Sequence, residues 1–429
     1  MFNFDRPLDF ALTDVADCLA QGHIDGAIAV WQGLMTTDFP KTDQQTLRDL
    51  GLMLLEQGDF EQRWLVSKEL LKFGEGIIAP LLTHWQNPSA TIEHRWFAGR
   101  LLGNFVGTEI TVALTEIFSQ PGDQDLWAIA AEGLSKQGTL ALTAISALLT
   151  NPDSRSLAVS ILAQLSQPEA LPLLKNLATD QDPTIRAQAL QALGQYSPAP
   201  LMPIFLQAIA DPFAKVRRQG VEGLGLYLKS LPPQSDPAQV ENILHQLHPL
   251  LLDLDPVVCQ QTAIAISQSP TAASIEILAK TLASPHTPEP LRFTVIKCLG
   301  WMETEASLAA LATVFANPCH GQSLADLTLV IQTLGRIKTP LHQLTAGKIL
   351  LTFAQSNHPY QQNPNLRKQL SQSWAQLHYL SALSLLQSWQ NEADIGVKLH
   401  AQAALKILAG SVPTSPETTT QEQGNVPLD

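Results

Sequence analysis

Along Ile185-Arg186-Ala187-Gln188-Ala189-Leu190-Gln191-Ala192-Leu193-Gly194, the apolar residues Ile185, Ala189, Ala192 and Leu193 recur at steps of three and four. That period places them on one stripe of a helix. A second helical stretch, Ala170 to Leu177, precedes it, and the polar turn Asp180-Gln181-Asp182-Pro183 joins the two. Proline suits a first helical turn, where its missing N–H would have had no partner, and an Asp beside it caps the orphan donors. The pattern predicts a helical hairpin.

The same hairpin returns about every 31 residues, with Pro turns at Pro88, Pro121, Pro152, Pro183, Pro212, Pro256, Pro285 and Pro318. Most units close on Leu followed by Gly or Ser, and an Arg stands eight positions earlier in several: Arg95 to Gly103, Arg186 to Gly194, Arg217 to Gly225, Arg292 to Gly300. Trp127, Ala158, Cys259 and Leu327 fill the Arg slot elsewhere, while Arg63 precedes Arg95 by 32 residues and Lys398 heads a last unit. A hairpin of this length cannot bury its apolar face alone, so neighbours must stack. The predicted fold is all-α, a right-handed α-solenoid of stacked helical hairpins.

The turns and second helices Asp182-Pro183-Thr184-Ile185-Arg186 with Ala189, Ala192, Leu193 and Gly194, and Asp211-Pro212 with Val216-Arg217 and Leu224-Gly225, resemble HEAT repeats of the short, phycobilisome-lyase-like kind. The overall pattern is similar to cyanobacterial HEAT-repeat proteins of about this length. The resemblance implies the fold for most of the chain. For function it implies a range: bilin lyases, phycobilisome-degradation factors, a di-iron hydroxylase and plain scaffolds.

Departures from the period divide the chain. Residues 1–51 carry two helical stretches around Gln21-Gly22-His23-Ile24-Asp25, similar to a tetratricopeptide-type hairpin, and are expected to cap the stack. Repeats are expected over 52–228 and 242–409, separated by an inserted loop at 229–241 where the step between Pro turns lengthens to 44 residues. The tail, 410–429, is rich in Thr, Pro and Gln and is expected to be disordered.

Composition narrows the partners. The chain has 429 residues and a net charge of −13, which argues against a nucleic-acid backbone because phosphate binding needs a basic stripe. No apolar run approaches the length of about 18 residues needed to cross a bilayer, and the first residues lack a signal-peptide layout, so a cytoplasmic protein without membrane insertion is expected. Cys18, Cys259, Cys298 and Cys319 form no Cys-x-x-Cys pair, which fits a reduced compartment. Cys298 falls on the small-residue stripe and reads as core.

If the Arg slot faces its own turn, the first, second and fifth residues after it point away from the stripe. In HEAT-type solenoids the second helices line the concave side, so these positions would paint a groove. They read Trp64, Leu65 and Lys68; Trp96, Phe97 and Arg100; Ala128, Ile129 and Glu132; Ala187, Gln188 and Gln191; Arg218, Gln219 and Glu222; and Phe293, Thr294 and Lys297. Aromatic and cationic groups gather in the first two. Three readings follow: Trp64 and Trp96 wedged between repeats as core; a face that clamps a protein, since aromatics and Arg dominate interface hot spots; or a grip on an open-chain tetrapyrrole. In the last, Arg100 or Lys68 would hold a propionate, Trp96 would stack on a pyrrole ring and Glu132 would supply a carboxylate.

Enzyme signatures are absent from the sequence: no Gly-x-Ser-x-Gly, no phosphate-cradling loop, no His-Glu-x-x-His. The repeated His-Glu dipeptides of the di-iron relatives are also absent, Glu93-His94 being reversed and unrepeated, and Cys319-His320 is an isolated pair. Asp180, Asp182, Asp211, Asp253 and Asp255 read as helix caps and Arg partners. The expectation is a non-enzymatic scaffold without a cofactor that binds another protein through Trp64, Lys68, Trp96, Phe97, Arg100 and Glu132. By the resemblance, the first partner is a phycobiliprotein or other photosynthetic protein, in assembly or turnover of the phycobilisome. The alternative is a bilin lyase or carrier holding a phycocyanobilin-type bilin.

Overall fold

The computed structural model describes residues 8–36, 41–119, 123–151, 154–165, 168–232, 235–316 and 323–410. Pro121, Pro152, Pro318, the Cys319-His320 pair and the tail from Ser411 lie outside the described residues. Every regular element among the described residues is helical, and the helices alternate as the two arms of stacked hairpins, an α-solenoid.

Two compact units divide between Ser197 and Pro198. In the first, the second helices of successive hairpins are Ile24–Leu34, Phe60–Leu70, Ile92–Leu102, Gln124–Ser135, Arg155–Leu165 and Pro183–Leu193, each packed on the next. In the other they are Ala214–Ser230, Pro256–Ser267, Glu289–Met302, Leu324–Gly335, Pro364–Gln376 and Ile395–Gly410. The unit boundary thus falls between two regular repeats and not at the long connection.

The closing small residue has a packing cause. A methyl group on Gly103 would stand 3.1 Å from the Cα of Gly133, and one on Gly225 would stand 3.1 Å from the Cα of Ala265, so consecutive second helices touch nearly backbone to backbone there. In the last helix the same register holds Lys406, which is exposed, and Leu399 and Ile407 of that helix are exposed beside it.

Where the slot holds Arg217, Arg292 or Arg367, it joins a repeat to its own turn and to the next repeat. Arg217 donates to the Asp211 and Pro212 carbonyls and forks onto Asp253 at 2.7 Å through both Nε and Nη2. Arg292 donates to the Thr287 carbonyl and reaches Asp326 through Nε and Nη2 at 3.4 and 3.2 Å, and Arg367 donates to the Gln361 carbonyl through Nε and meets Glu392 through Nη1. Arg367 was not in the predicted series, although Asn363-Pro364-Asn365-Leu366-Arg367 repeats the Asp182-to-Arg186 pattern. Cys259 fills the slot with a weaker donor, its Sγ 3.2 Å from the Asp253 carbonyl. Asp182 and Asp255 cap their helices as expected, accepting from the Thr184 and Val257 N–H groups.

Two expected boundaries move. The 51/52 division falls inside the helix Lys41–Gln57, because Trp31 of the preceding hairpin donates to the Leu47 carbonyl and packs on Gly51, tying that helix to both neighbours. Within the insertion expected at 229–241, the helix Ala214–Ser230 runs on to Ser230, and Asp236-Pro237 starts the next helix as Asp182-Pro183 does. Cys298 is fully buried, and desolvation pushes its thiol up to about 12, which keeps it protonated and inert.

Candidate functional site

The first unit builds an aromatic and cationic face on two adjacent second helices, Phe60–Leu70 and Ile92–Leu102. Asp59 opens the former through a capping box with Gln62, whose side chain also donates to Asp25 of the N-terminal hairpin. Thr91 caps the latter by accepting from the His94 N–H. Arg63 locks the two helices together: it donates to the Leu55 and Glu56 carbonyls behind it and forms a 2.7 Å ion pair with Glu93 ahead of it. His94 contacts the same Leu55 carbonyl at 3.2 Å. Burial lowers its pKa and the neighbouring Arg63 cation lowers it further, so it packs as a neutral ring.

This clamp fixes the register of Trp64 against Trp96. Both indoles are half-buried, neither sealed in the core nor free in solvent. Phe60, 52% exposed, lies between them, with its ring 6.4 Å from Trp64, 6.1 Å from Trp96 and 5.3 Å from Phe97. The Arg100 guanidinium lies 3.6 Å from the Trp64 ring centre and 5.7 Å from that of Trp96, while the Lys68 ammonium is 5.7 Å from Trp64. Such contacts hold each cation in place by roughly 0.5–1 kcal/mol at an exposed site. Leu65, 46% exposed, and Ile92, 51% exposed, extend the apolar surface.

Four of the six expected residues, Trp64, Lys68, Trp96 and Arg100, therefore come together. Phe97 does not join them on the surface: it is fully buried, and Ile129 in the same register is nearly so. The second position after the Arg slot lies at about 200° around the helix, at the edge of the core stripe, and a large apolar residue there turns inward. Glu132 is exposed on the neighbouring helix and is bound to Lys136 at 2.8 Å, four residues on. Phe60 was missed. Its signal was present, since it stands four residues before Trp64 and so shares that helical face.

The second unit holds a different concavity. The long connection, the helix Pro237–Leu247 and the turn after Pro256–Ser267 enclose about 610 Å³, lined by Leu231, Pro232, Val240, Leu244 and Thr271 among others. Among the described residues no cluster of three or more His, Cys, Asp or Glu side chains could hold a metal ion. No helix among them is long and apolar enough to cross a membrane.

A family profile for HEAT repeats matches residues 141–225. No curated protein sequence matches the chain. Among solved structures, it is similar to the karyopherin Kap121p bound to the extreme C-terminus of the protein phosphatase Cdc14p, at 13% identity over 94% of this chain and 52% of that one, with a TM-score of 0.53. It is also similar to importin beta, at 12% identity over 95% of this chain and 65% of that one, with a TM-score of 0.52. The chain thus spans about half to two thirds of the length of these structures, and the likeness shows that its fold is a HEAT-repeat solenoid.

Proposed function

We propose that this protein is a non-enzymatic scaffold that needs no cofactor and binds a partner protein on the exposed face of the first unit's second helices, at Phe60, Trp64, Lys68, Trp96 and Arg100. The observation that supports this is the set of three aromatic rings and two cations on one open face, fixed from behind by Arg63 and Glu93. Preorganised aromatic and Arg groups are the side chains from which interface hot spots are built. The similar solenoid of Kap121p holds the C-terminal segment of another protein, so capture of a peptide segment is within the fold's range.

The family resemblance makes a phycobiliprotein or another photosynthetic-apparatus protein the first partner to test, with a role in assembly or turnover in the cytoplasm. A bilin lyase would use the same Arg100 and Trp96, but it also needs a carboxylate beside the pyrrole nitrogens. Glu132 is committed to Lys136 on the surface of its own helix, which favours the protein partner. Affinity enrichment with wild type and with a Trp64→Ala, Trp96→Ala variant tests the proposal. A partner retained by wild type and lost by the variant supports it; equal retention refutes this face as the site. Titration with phycocyanobilin, read by tryptophan fluorescence, separates the alternative: saturable quenching lost in Arg100→Ala would move the protein to the bilin class.

A further inference from the structure

Arginines on the second helices of this protein commonly reach a carboxylate of a neighbouring repeat. Arg63 meets Glu93, Arg155 meets Asp180, Arg217 meets Asp253, Arg292 meets Asp326 and Arg367 meets Glu392. Arg100 departs from that habit. Its guanidinium lies over Trp64, 3.6 Å from the ring centre, and among the described residues neither it nor Lys68 has a carboxylate partner. The chain as a whole carries a charge of −13, so two unpaired cations on an apolar patch are not an average of its surface.

Stacking satisfies the faces of a guanidinium and leaves its edge. The edge carries the N–H donors, whose fork matches the two oxygens of a carboxylate. Two indoles also exclude water from one side, which strengthens any charge-assisted hydrogen bond formed there. Lys68, 5.7 Å from the Trp64 ring centre, adds a second positive charge, and exposed Phe60 and Leu65 offer apolar contact beside it.

We infer that this face recognises a carboxylate side chain, Asp or Glu, flanked by an apolar residue in a peptide segment of the partner, with Arg100 as the bidentate donor and Trp64 as the platform that holds it. The inference rests on the protein-binding reading of the same face and adds the chemistry it selects.

Random 12-residue peptides displayed on phage and selected on the full-length chain provide the test. The expected winners carry Asp or Glu next to a Leu, Phe or Trp. For a synthetic copy of a winner, Arg100→Gln and replacement of the acid by its amide each weaken binding about tenfold or more, and the two changes together add little further loss. Arg100→Lys, which keeps the charge and loses the fork, falls between. Peptides that bind and are lost with Trp64→Ala, but contain no acid or ignore Arg100→Gln, overturn the carboxylate inference and leave the protein-binding face standing. If no peptide is enriched on wild type over a Trp64→Ala, Trp96→Ala control, both fail. Unchanged circular dichroism and melting temperature of Arg100→Gln exclude loss through misfolding.

Discussion

Arg217 and Arg100 are both arginines on second helices of the same solenoid, and the protein uses them in opposite ways. Arg217 is mostly buried, bonds two carbonyls of its own turn and forks onto Asp253, whose side chain is 7% exposed. Arg100 lies on the open face against Trp64, with no acid paired to it among the described residues. The difference comes from register. The slot residue points at the turn, while a residue five positions later lies about 140° around the helix and faces outward. One position thus supplies cohesion between repeats, and the other supplies a surface.

The largest expected effect breaks the cohesive arginine. Arg217→Ala leaves the Asp253 carboxylate buried without its partner and should cost about 3 kcal/mol, read by urea unfolding at neutral pH. Gly225→Leu attacks the same joint through shape and should cost about 2 kcal/mol, since the added side chain meets the Ala265 backbone. Acid offers a third route. Desolvation works to raise the Asp253 pKa, but hydrogen bonds from Arg217 and from the Asp255 N–H outweigh it and hold the carboxyl below its ordinary 3.8. The pair's contribution is therefore complete above that ordinary value and is lost as pH falls through the lowered folded value. The stability gap between wild type and Asp253→Asn should be constant from pH 7 to pH 5 and close in stronger acid. The smallest effect on stability belongs to Arg100→Gln, expected within about 0.5 kcal/mol of wild type. A loss comparable to that of Arg217→Ala would erase the distinction between the two arginines.

The repeat was legible because its marks are local. An Asp-Pro start and a small closing residue each answer a requirement felt within one hairpin or at one helix contact, as at Asp182-Pro183 and at Gly103 against Gly133. The length of the insertion was less legible, since Asp236-Pro237 carries the same helix-start signal but was absorbed into the loop. At the site, Trp64, Lys68, Trp96 and Arg100 follow from counting around a helix. Phe97 does not, because its register lies on the border between core and surface: Leu65 there stays 46% exposed while Phe97 is sealed. Phe60 precedes the slot and so stood outside the counted positions. Asp253 reads as an Arg partner from the sequence, but which arginine it meets, Arg217 at 36 residues' distance, depends on stacking that no single repeat encodes.

The central claim is that the first unit's open face, and not the second-helix row in general, meets the partner. A photo-reactive side chain in place of exposed Leu65, compared with one in place of Gln188 on a later second helix of the same unit, tests it most directly. The account predicts a crosslinked partner at position 65 that excess unlabelled wild-type protein competes away, that Trp96→Ala abolishes and that position 188 does not capture. Equal crosslinking at both positions, or a product at 65 that survives Trp96→Ala, would contradict it.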